Sequence, residues 1–513
     1  MNRLTILCLS VLFFFSCDPS KRLAKTDTDD GIIRFGILHI NDVYEIEALE
    51  GGKVGGMSRV AQLYKDLKAE GQPILFVHAG DFLNPSLLGS LKYEGERIKG
   101  RQMVEVMNAS GVDLVAFGNH EFDLDEDELQ ERINESNFTW IGTSVRLNIE
   151  GTPKPFYKEQ NGYRVDCEDG YNWFIQDADG TKIQVGIFSS TVAANPRDYV
   201  HYLDPFESAI QTAENLQKDC DIVLGLTHLN MVQDLKLAGM LQNVPLLMGG
   251  HDHDNIQEMV GETMVCKADA NAKTAYFYQF TYNTKTGETS LEPRLIPVTD
   301  QMDRDPEVAK LVKKWQTIQD AVIKQVIPDP DQIVYHTEVP LDGRESSIRN
   351  FQTNLGTLMT LSMAQASRKK TDAVFFNSGS IRIDDQLKGD VLAVDIFRVL
   401  PFGGSMVESD MTGALLIRIL EAGRENKGTG GFLQVLNLKE VEDTWYINDV
   451  AIDPEAVYHI AFTDFLLTGF ENRLDFMTPD NPGYISIDIP KPNDPTDLRS
   501  DIRKTLIEYM LKQ

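Results

Sequence analysis

Five apolar runs between Ile37 and His253 each stop abruptly on side chains that can bind a metal ion. ILHIND stops on Asp42, PILFVHAGD on Asp81, VDLVAFGNHE on Asn119 and His120, DIVLGLTH on His228, and VPLLMGGHDH on His251 and His253. Helix-like stretches at 57–67 and 207–218 alternate with these runs, the pattern of a sheet covered by helices. In open α/β sheets, sites gather beyond the carboxyl ends of the strands, so endings far apart in the chain are expected to meet in one place. Carboxylate, imidazole and amide oxygen together suit a pair of divalent or trivalent transition metals. Gly80, Gly118, Gly249 and Gly250 are expected to supply the sharp turns that free the ligands. A lone His228 or a Gly-Asp pair would read as core or turn; the ordered set, with two imidazoles two residues apart in GGHDH, has little packing rationale.

With 513 residues the chain exceeds what one core supports, roughly 250 to 300 residues, so two domains are expected. Val308, Leu311, Val312, Trp315, Ile318 and Val322 recur at helical spacing behind Pro306 and predict a connector helix over 305–326. Ile327-Pro328-Asp329-Pro330 breaks it, and a second α/β stretch follows. The expected division is a first domain at 31–300, a linker at 301–330 and a second domain at 331–513. A formal charge of -29 argues against binding nucleic acid, whose backbone requires basic surface. The same acidity would repel a free phosphate ester unless metals and arginines compensate locally.

The first residues have the form of an export signal. Arg3 is followed by an apolar stretch from Leu4 to Phe15, too short to span a bilayer, and Ser16-Cys17 is similar to the cleavage box of bacterial lipoproteins. Residues 1–17 are thus expected as a lipoprotein signal, Cys17 as the lipidated residue and 18–30 as a tether, with an ordinary cleaved signal or membrane anchor as the alternative. That predicts an exported protein anchored by lipid to the bacterial cell envelope. Cys167, Cys220 and Cys266 remain; their spacing is neither a disulfide framework nor a metal site, although one bridge is left open beside free thiols.

Taken in order, D, GD, GNHE(F)D, TH and GGHxH resemble the calcineurin-like metallophosphoesterases, and within them the 5'-nucleotidase family. The resemblance implies an α/β (mixed α+β) chain: an N-terminal four-layer α-β-β-α sandwich, a linker helix and a separate α/β C-terminal substrate-binding domain. It implies two divalent or mixed-valence metal ions, drawn from Zn, Mn, Co, Fe or Mg, one held by Asp42, Asp81 and His253 and one by Asp81, Asn119, His228 and His251. His120 would stabilise the transition state or protonate the leaving group, oriented by Asp123. One position departs from the family, whose motif reads Asp-x-His where this chain has Asp42-Val43-Tyr44. Tyr44 is either a ligand to a strong Lewis acid such as ferric iron or a side chain packed beside the site. His39 and His78 are expected as supporting or core residues.

In the second half, Arg349 precedes Asn354-Leu355-Gly356, and Asn377-Ser378-Gly379-Ser380-Ile381-Arg382 and Pro401-Phe402-Gly403-Gly404 follow. Alone these would be turns and surface residues. In the order that resembles the 5'-nucleotidase C-terminal domain, they imply that Arg349 and Arg382 grip phosphate, Asn377 contacts the ligand, and Phe402 and Phe465 sandwich a base. Glu471 stands where the family has a ribose-binding Asp, although the residues around it depart from the family pattern. The family also implies that the second domain rotates to carry substrate to the metals. The expected activity is a 5'-nucleotidase acting on a small-molecule nucleotide or other phosphate ester; nucleotide sugars, cyclic nucleotides, or binding with weak catalysis are the alternatives.

Overall fold

The computed structural model describes residues 29–194, 196–324, 327–491 and 494–513. The expected signal, Cys17 and nearly all of the tether lie outside them. No helix among the described residues is long and apolar enough to cross a membrane.

The first domain is built on two six-stranded sheets stacked face to face. One carries Ile32–Ile40 between the antiparallel strand Thr274–Asn283 and the parallel strand Ile74–His78, with Leu114–Ala116 parallel beyond the latter; the other carries Lys182–Thr191, Ile222–His228 and Leu246–Gly249, also parallel. Strand side chains alternate between faces. Accordingly Ile33, Phe35 and Ile37 meet Ile183, Val185, Ile187, Leu224 and Met248 in the core between the sheets. Leu38 and Ile40 face the other way, onto helices Met57–Ala69 and Arg101–Ser110, while Phe188 and Val223 pack toward helices Pro205–Leu216 and Met231–Met240. The result is the layered order helix, sheet, sheet, helix.

Helix Pro306–Ile323 starts where Asp305 caps the backbone N–H groups of Glu307 and Val308 and Pro306 fills the first turn. Its face of Val308, Val312, Trp315 and Ile323 lies in one apolar cluster with residues of both domains. The second domain is a five-stranded mixed sheet, ordered Leu433–Leu436, Ala373–Asn377, Val457–Thr463, Met406–Thr412 and Tyr484–Asp488. Val374 and Phe376 face helices Asn354–Ala366 and Ile502–Met510, and Ala373 and Phe375 face helix Gly413–Glu425. Cys167, Cys220 and Cys266 are free.

Candidate active site

The strand endings of the first domain converge. Ile32–Ile40 leads into Asp42, Ile74–His78 into Asp81, Leu114–Ala116 into Asn119 and His120, Ile222–His228 ends on His228, and Leu246–Gly249 leads into His251 and His253. His228 Nε2 is 2.9 Å from Asp81 Oδ2 and 4.0 Å from Asp42 Oδ1; His253 Nε2 is 3.3 Å from the same Asp42 oxygen. The His228 and His251 rings are 5.3 Å apart, and Asp81, His228 and His251 can offer ligand atoms within 4.8 Å of one another. Asn119 lines the same cleft as His120, His251 and His253.

These residues fit a cation centre. Asp42 Oδ1 and His228 Nε2 are buried, yet neither makes a hydrogen bond of adequate alignment despite the short separations. Buried polar atoms are nearly always paired, so atoms close together but not aimed at one another suit donors that share an ion. Burial opposes charge on Asp42 and Asp81, but the facing imidazoles, His253 for Asp42 and His228 for Asp81, outweigh it and keep both carboxylates ionised. His228 feels burial first, which favours its neutral form, yet Asp81 and Asp42 raise it to about 9. Burial holds His251 near 3, and the same cause brings His39 and His78 to about 3, so both are neutral supporting side chains. His39 Nδ1 lies 3.1 Å from the Tyr278 hydroxyl.

The turns differ from expectation. Of the four glycines only Gly80 has a positive φ, 84°; the left-handed backbone falls instead on the polar residues themselves, Asp42 (52°), Asp81 (62°), His251 (82°) and His253 (64°). Gly118 is required for space, because a Cβ there would sit 2.1 Å from Asp81 Oδ1. Non-glycine residues in this region cost about 1 kcal/mol or more each and cluster where function over-determines the backbone.

Glu121, unassigned from sequence, enforces that backbone. Its buried carboxylate accepts from the N–H groups of Asp81 (2.9 Å), Phe82 (2.8 Å), Leu83 (3.2 Å) and Gly118 (2.7 Å), tying two strand endings together. Burial and then the Asp81 charge raise it to about 7, against the pull of those N–H donors. Lys267 does the same for the GGHDH loop: its buried ammonium donates to the Gly250 and Leu229 carbonyls (2.7 and 2.6 Å) and pairs with Asp234 and Asp252.

Tyr44 lies inside this cluster. Its hydroxyl donates to Asp81 Oδ2 at 3.4 Å and is 3.0 Å from His253 Nε2. Burial, followed by the charges of Asp81 and Asp42, pushes the phenol well above its ordinary value, so it stays protonated.

The second domain closes over the cleft. His120 Nδ1 is 2.7 Å from Asp123 Oδ2, which also accepts from Asn84 (2.6 Å) and from Arg382 across the domain boundary (3.4 Å). Burial disfavours a charged His120, but Asp123, Glu345 and Asp81 raise it well above the usual range, making it an imidazolium. Glu345, also missed from sequence, places one carboxylate oxygen against Arg349 and 3.9 Å from Arg382, and the other 3.5 Å from His120. An anion is thus already held among the two expected phosphate arginines and the expected acid. Arg349 and Arg382 stand at the metal-side cleft in this arrangement.

Beside it opens a cavity of about 770 Å³ lined by Asn377, Arg382, Phe402, Phe465, Glu471 and, from the first domain, Arg97. Phe402 and Phe465 are exposed, and the guanidinium groups of Arg97 and Arg382 lie 5.8 and 5.9 Å from the Phe402 ring. Asn377 donates to Glu471 at 2.8 Å, which joins the two expected ligand contacts.

Residues 35–255 match the calcineurin-like phosphoesterase family, and residues 333–478 match the 5'-nucleotidase C-terminal domain. The chain is similar to Protein UshA of Escherichia coli, with 25% identity over 94% of this chain and 93% of that protein. It is also similar to the trifunctional nucleotide phosphoesterase protein YfkN of Bacillus subtilis, with 23% identity over 90% of this chain, but it spans only 34% of that longer protein. Among solved structures, the 5'-nucleotidase precursor of Thermus thermophilus shares the fold, with a TM-score of 0.65 and 22% identity over 94% of this chain and 96% of that one.

Proposed function

We propose, from the premise that this chain joins a calcineurin-like phosphoesterase domain to a 5'-nucleotidase C-terminal domain, that it is a metal-dependent hydrolase releasing phosphate from nucleotides outside the cytoplasm. The observation that carries this reading is the convergence of Asp42, Asp81, His228 and His253, linked by separations of 2.9, 3.3 and 4.0 Å, in a cleft bordered by His120 and Arg349, with Arg382 paired to Asp123 beside it. Asp42, Asp81 and His253 would hold one cation, and Asp81, Asn119, His228 and His251 the other. Such a pair, when bound, supplies charge that polarises the phosphoryl group and activates water.

The remaining steps belong to the chain. Arg349 and Arg382 bind the phosphate, displacing the Glu345 carboxylate that now engages them; guanidinium suits this because its fork matches phosphate oxygens. Phe402 and Phe465 offer faces to a flat base, and Asn377 and Glu471 present polar atoms to the sugar beside it. His120, held as an imidazolium by Asp123, donates a proton to the leaving oxygen or stabilises its charge. The export signal and the lipid at Cys17 complete the proposal, supported by the apolar stretch and Ser16-Cys17.

Phosphate release from a panel of nucleoside monophosphates, nucleotide sugars and cyclic nucleotides, with and without added Mn, Zn, Co, Fe or Mg, tests the reading. Metal-dependent release from monophosphates is expected. Nucleotide binding with no release under any metal would reject it.

A further inference from the structure

His253 Nε2 is surrounded by oxygens from both domains. Asp42 Oδ1 is 3.3 Å away and the Tyr44 hydroxyl 3.0 Å, both from the first domain; Asp384 Oδ2, from the second, is 3.4 Å away. Asp384 is buried, and its two carboxylate oxygens have different surroundings. Oδ1 accepts from the Glu345 backbone N–H at 2.7 Å, whereas Oδ2 is directed at the imidazoles of His253 and His120 (3.8 Å). Its backbone takes the left-handed conformation, φ 41°, shared by Asp42, Asp81, His251 and His253.

The loop is held there by other contacts. The Asp384 carbonyl lies 2.6 Å from His253 Nδ1, which fixes that ring with Nε2 turned inward, and neighbouring Asp385 pairs with Lys273 of the first domain at 2.7 Å. A histidine that offers one nitrogen to a cation commonly has its other nitrogen hydrogen-bonded in this way. Among the oxygens around His253 Nε2, a carboxylate oxygen is a better donor to a divalent ion than a phenol oxygen, whose ordinary pKa is about 10.

We propose that Asp384 is a ligand of the cation held by Asp42, Asp81 and His253, so that this site is completed only when the second domain is docked on the first. The proposal rests on the two-cation reading above and adds a consequence, that metal affinity and domain closure are coupled through one side chain.

Manganese binding to the full chain, followed by calorimetry and by elemental analysis after gel filtration, tests it with four chains: the native one, Asp384→Asn, Asp390→Asn, and Asp384→Asn combined with Tyr44→His. The native chain should bind two ions. Asp384→Asn should weaken one of the two by at least about tenfold and leave the other unchanged, the scale expected for loss of a group that supports a metal site. Asp390→Asn, which removes the same charge from an exposed position of the second domain, should keep both affinities, and Tyr44→His should recover the lost site, because it places an imidazole next to His253. Equal affinities in the native and Asp384→Asn chains, or an equal loss in Asp390→Asn, would overturn the assignment while the hydrolase reading stands. A native chain that binds no manganese would instead overturn the two-cation reading itself. Should the asparagine chain fail to fold, Asp384→Ala is measured in its place against the same two outcomes.

Discussion

The two walls of the cleft are built on different terms. On the first domain's side the groups that frame the ligands are buried and held by named partners: Glu121 by four backbone donors, Lys267 by two carbonyls and two carboxylates, Asp42 Oδ2 by Asn41 and the His251 N–H at 2.7 and 2.9 Å. On the second domain's side, Phe402 is 56% exposed and Phe465 42%, and they border an open cavity. Rigid polar geometry suits a centre that must fix ions and a reacting phosphate, because small displacements there are costly. Exposed rings suit the recognition of a flat group whose identity can vary. On the proposed reading, chemistry and choice of substrate are therefore carried by different structural materials, and each can be perturbed separately.

The comparison breaks most severely at Glu121. Glu121→Ala strands four buried N–H groups, and at about 1 to 3 kcal/mol for each unsatisfied group it should destabilise the first domain by several kcal/mol and abolish metal retention; thermal unfolding and elemental analysis measure both. Retention of two ions at native stability would show that the wall is held in another way. Next in size is His120→Ala, expected to lower kcat by about a hundredfold to ten-thousandfold with metal content intact, whereas Asn119→Ala should weaken metal retention as well. Identical behaviour of the two variants would contradict the separate roles.

Arg382→Ala should raise KM by roughly tenfold to hundredfold, the range for a lost charged hydrogen bond, with metal content and kcat for saturating substrate changed less. Phe402→Ala should raise KM by only about threefold to tenfold, the scale of one aromatic stack, and leave the melting temperature unaltered because the ring is exposed. A fall in stability there would mean that the open pocket is as over-determined as the opposite wall. The smallest effect concerns His459, which sits 2.7 Å from Asp410 and 3.0 Å from Glu408. Burial lowers its basicity, but hydrogen bonds to Glu408 and Asp410 raise it overall. A histidine raised on folding contributes stability below its ordinary value of 6.5 and loses it as pH climbs through the raised one. His459→Gln should thus narrow the difference in melting temperature between mildly acidic and mildly alkaline buffer.

What was legible in the sequence follows the same division. The residues at the strand endings could be read because each occupies the junction between an apolar run and a turn, and strand ends in such sheets converge. The supporting groups could not. Glu121 serves backbone N–H groups some forty residues earlier in the chain, and Lys267 stands in an apolar strand with no motif around it. Phe402 and Phe465 were identified through resemblance to a family, since an exposed ring in a glycine turn has no spacing of its own. Glu345 and Asp384 depend on how one domain is seated on the other, which no local pattern encodes. Of the four glycines expected at the turns, only Gly80 takes the left-handed backbone, for a related reason. Residue type indicates which positions tolerate a left-handed backbone, but here packing and hydrogen bonds impose that conformation on Asp42, Asp81, His251 and His253.

That last feature bears on how such a protein can be engineered. His251 has the largest φ of the four, 82°, and its N–H and ring are committed to the site and not to the core. Glycine there would relieve about 1 kcal/mol of conformational cost. A selection for heat resistance alone would therefore favour removing that imidazole, and the survivors would be sturdier proteins with a defective reaction centre. Any programme to toughen this chain has to screen for turnover at every round.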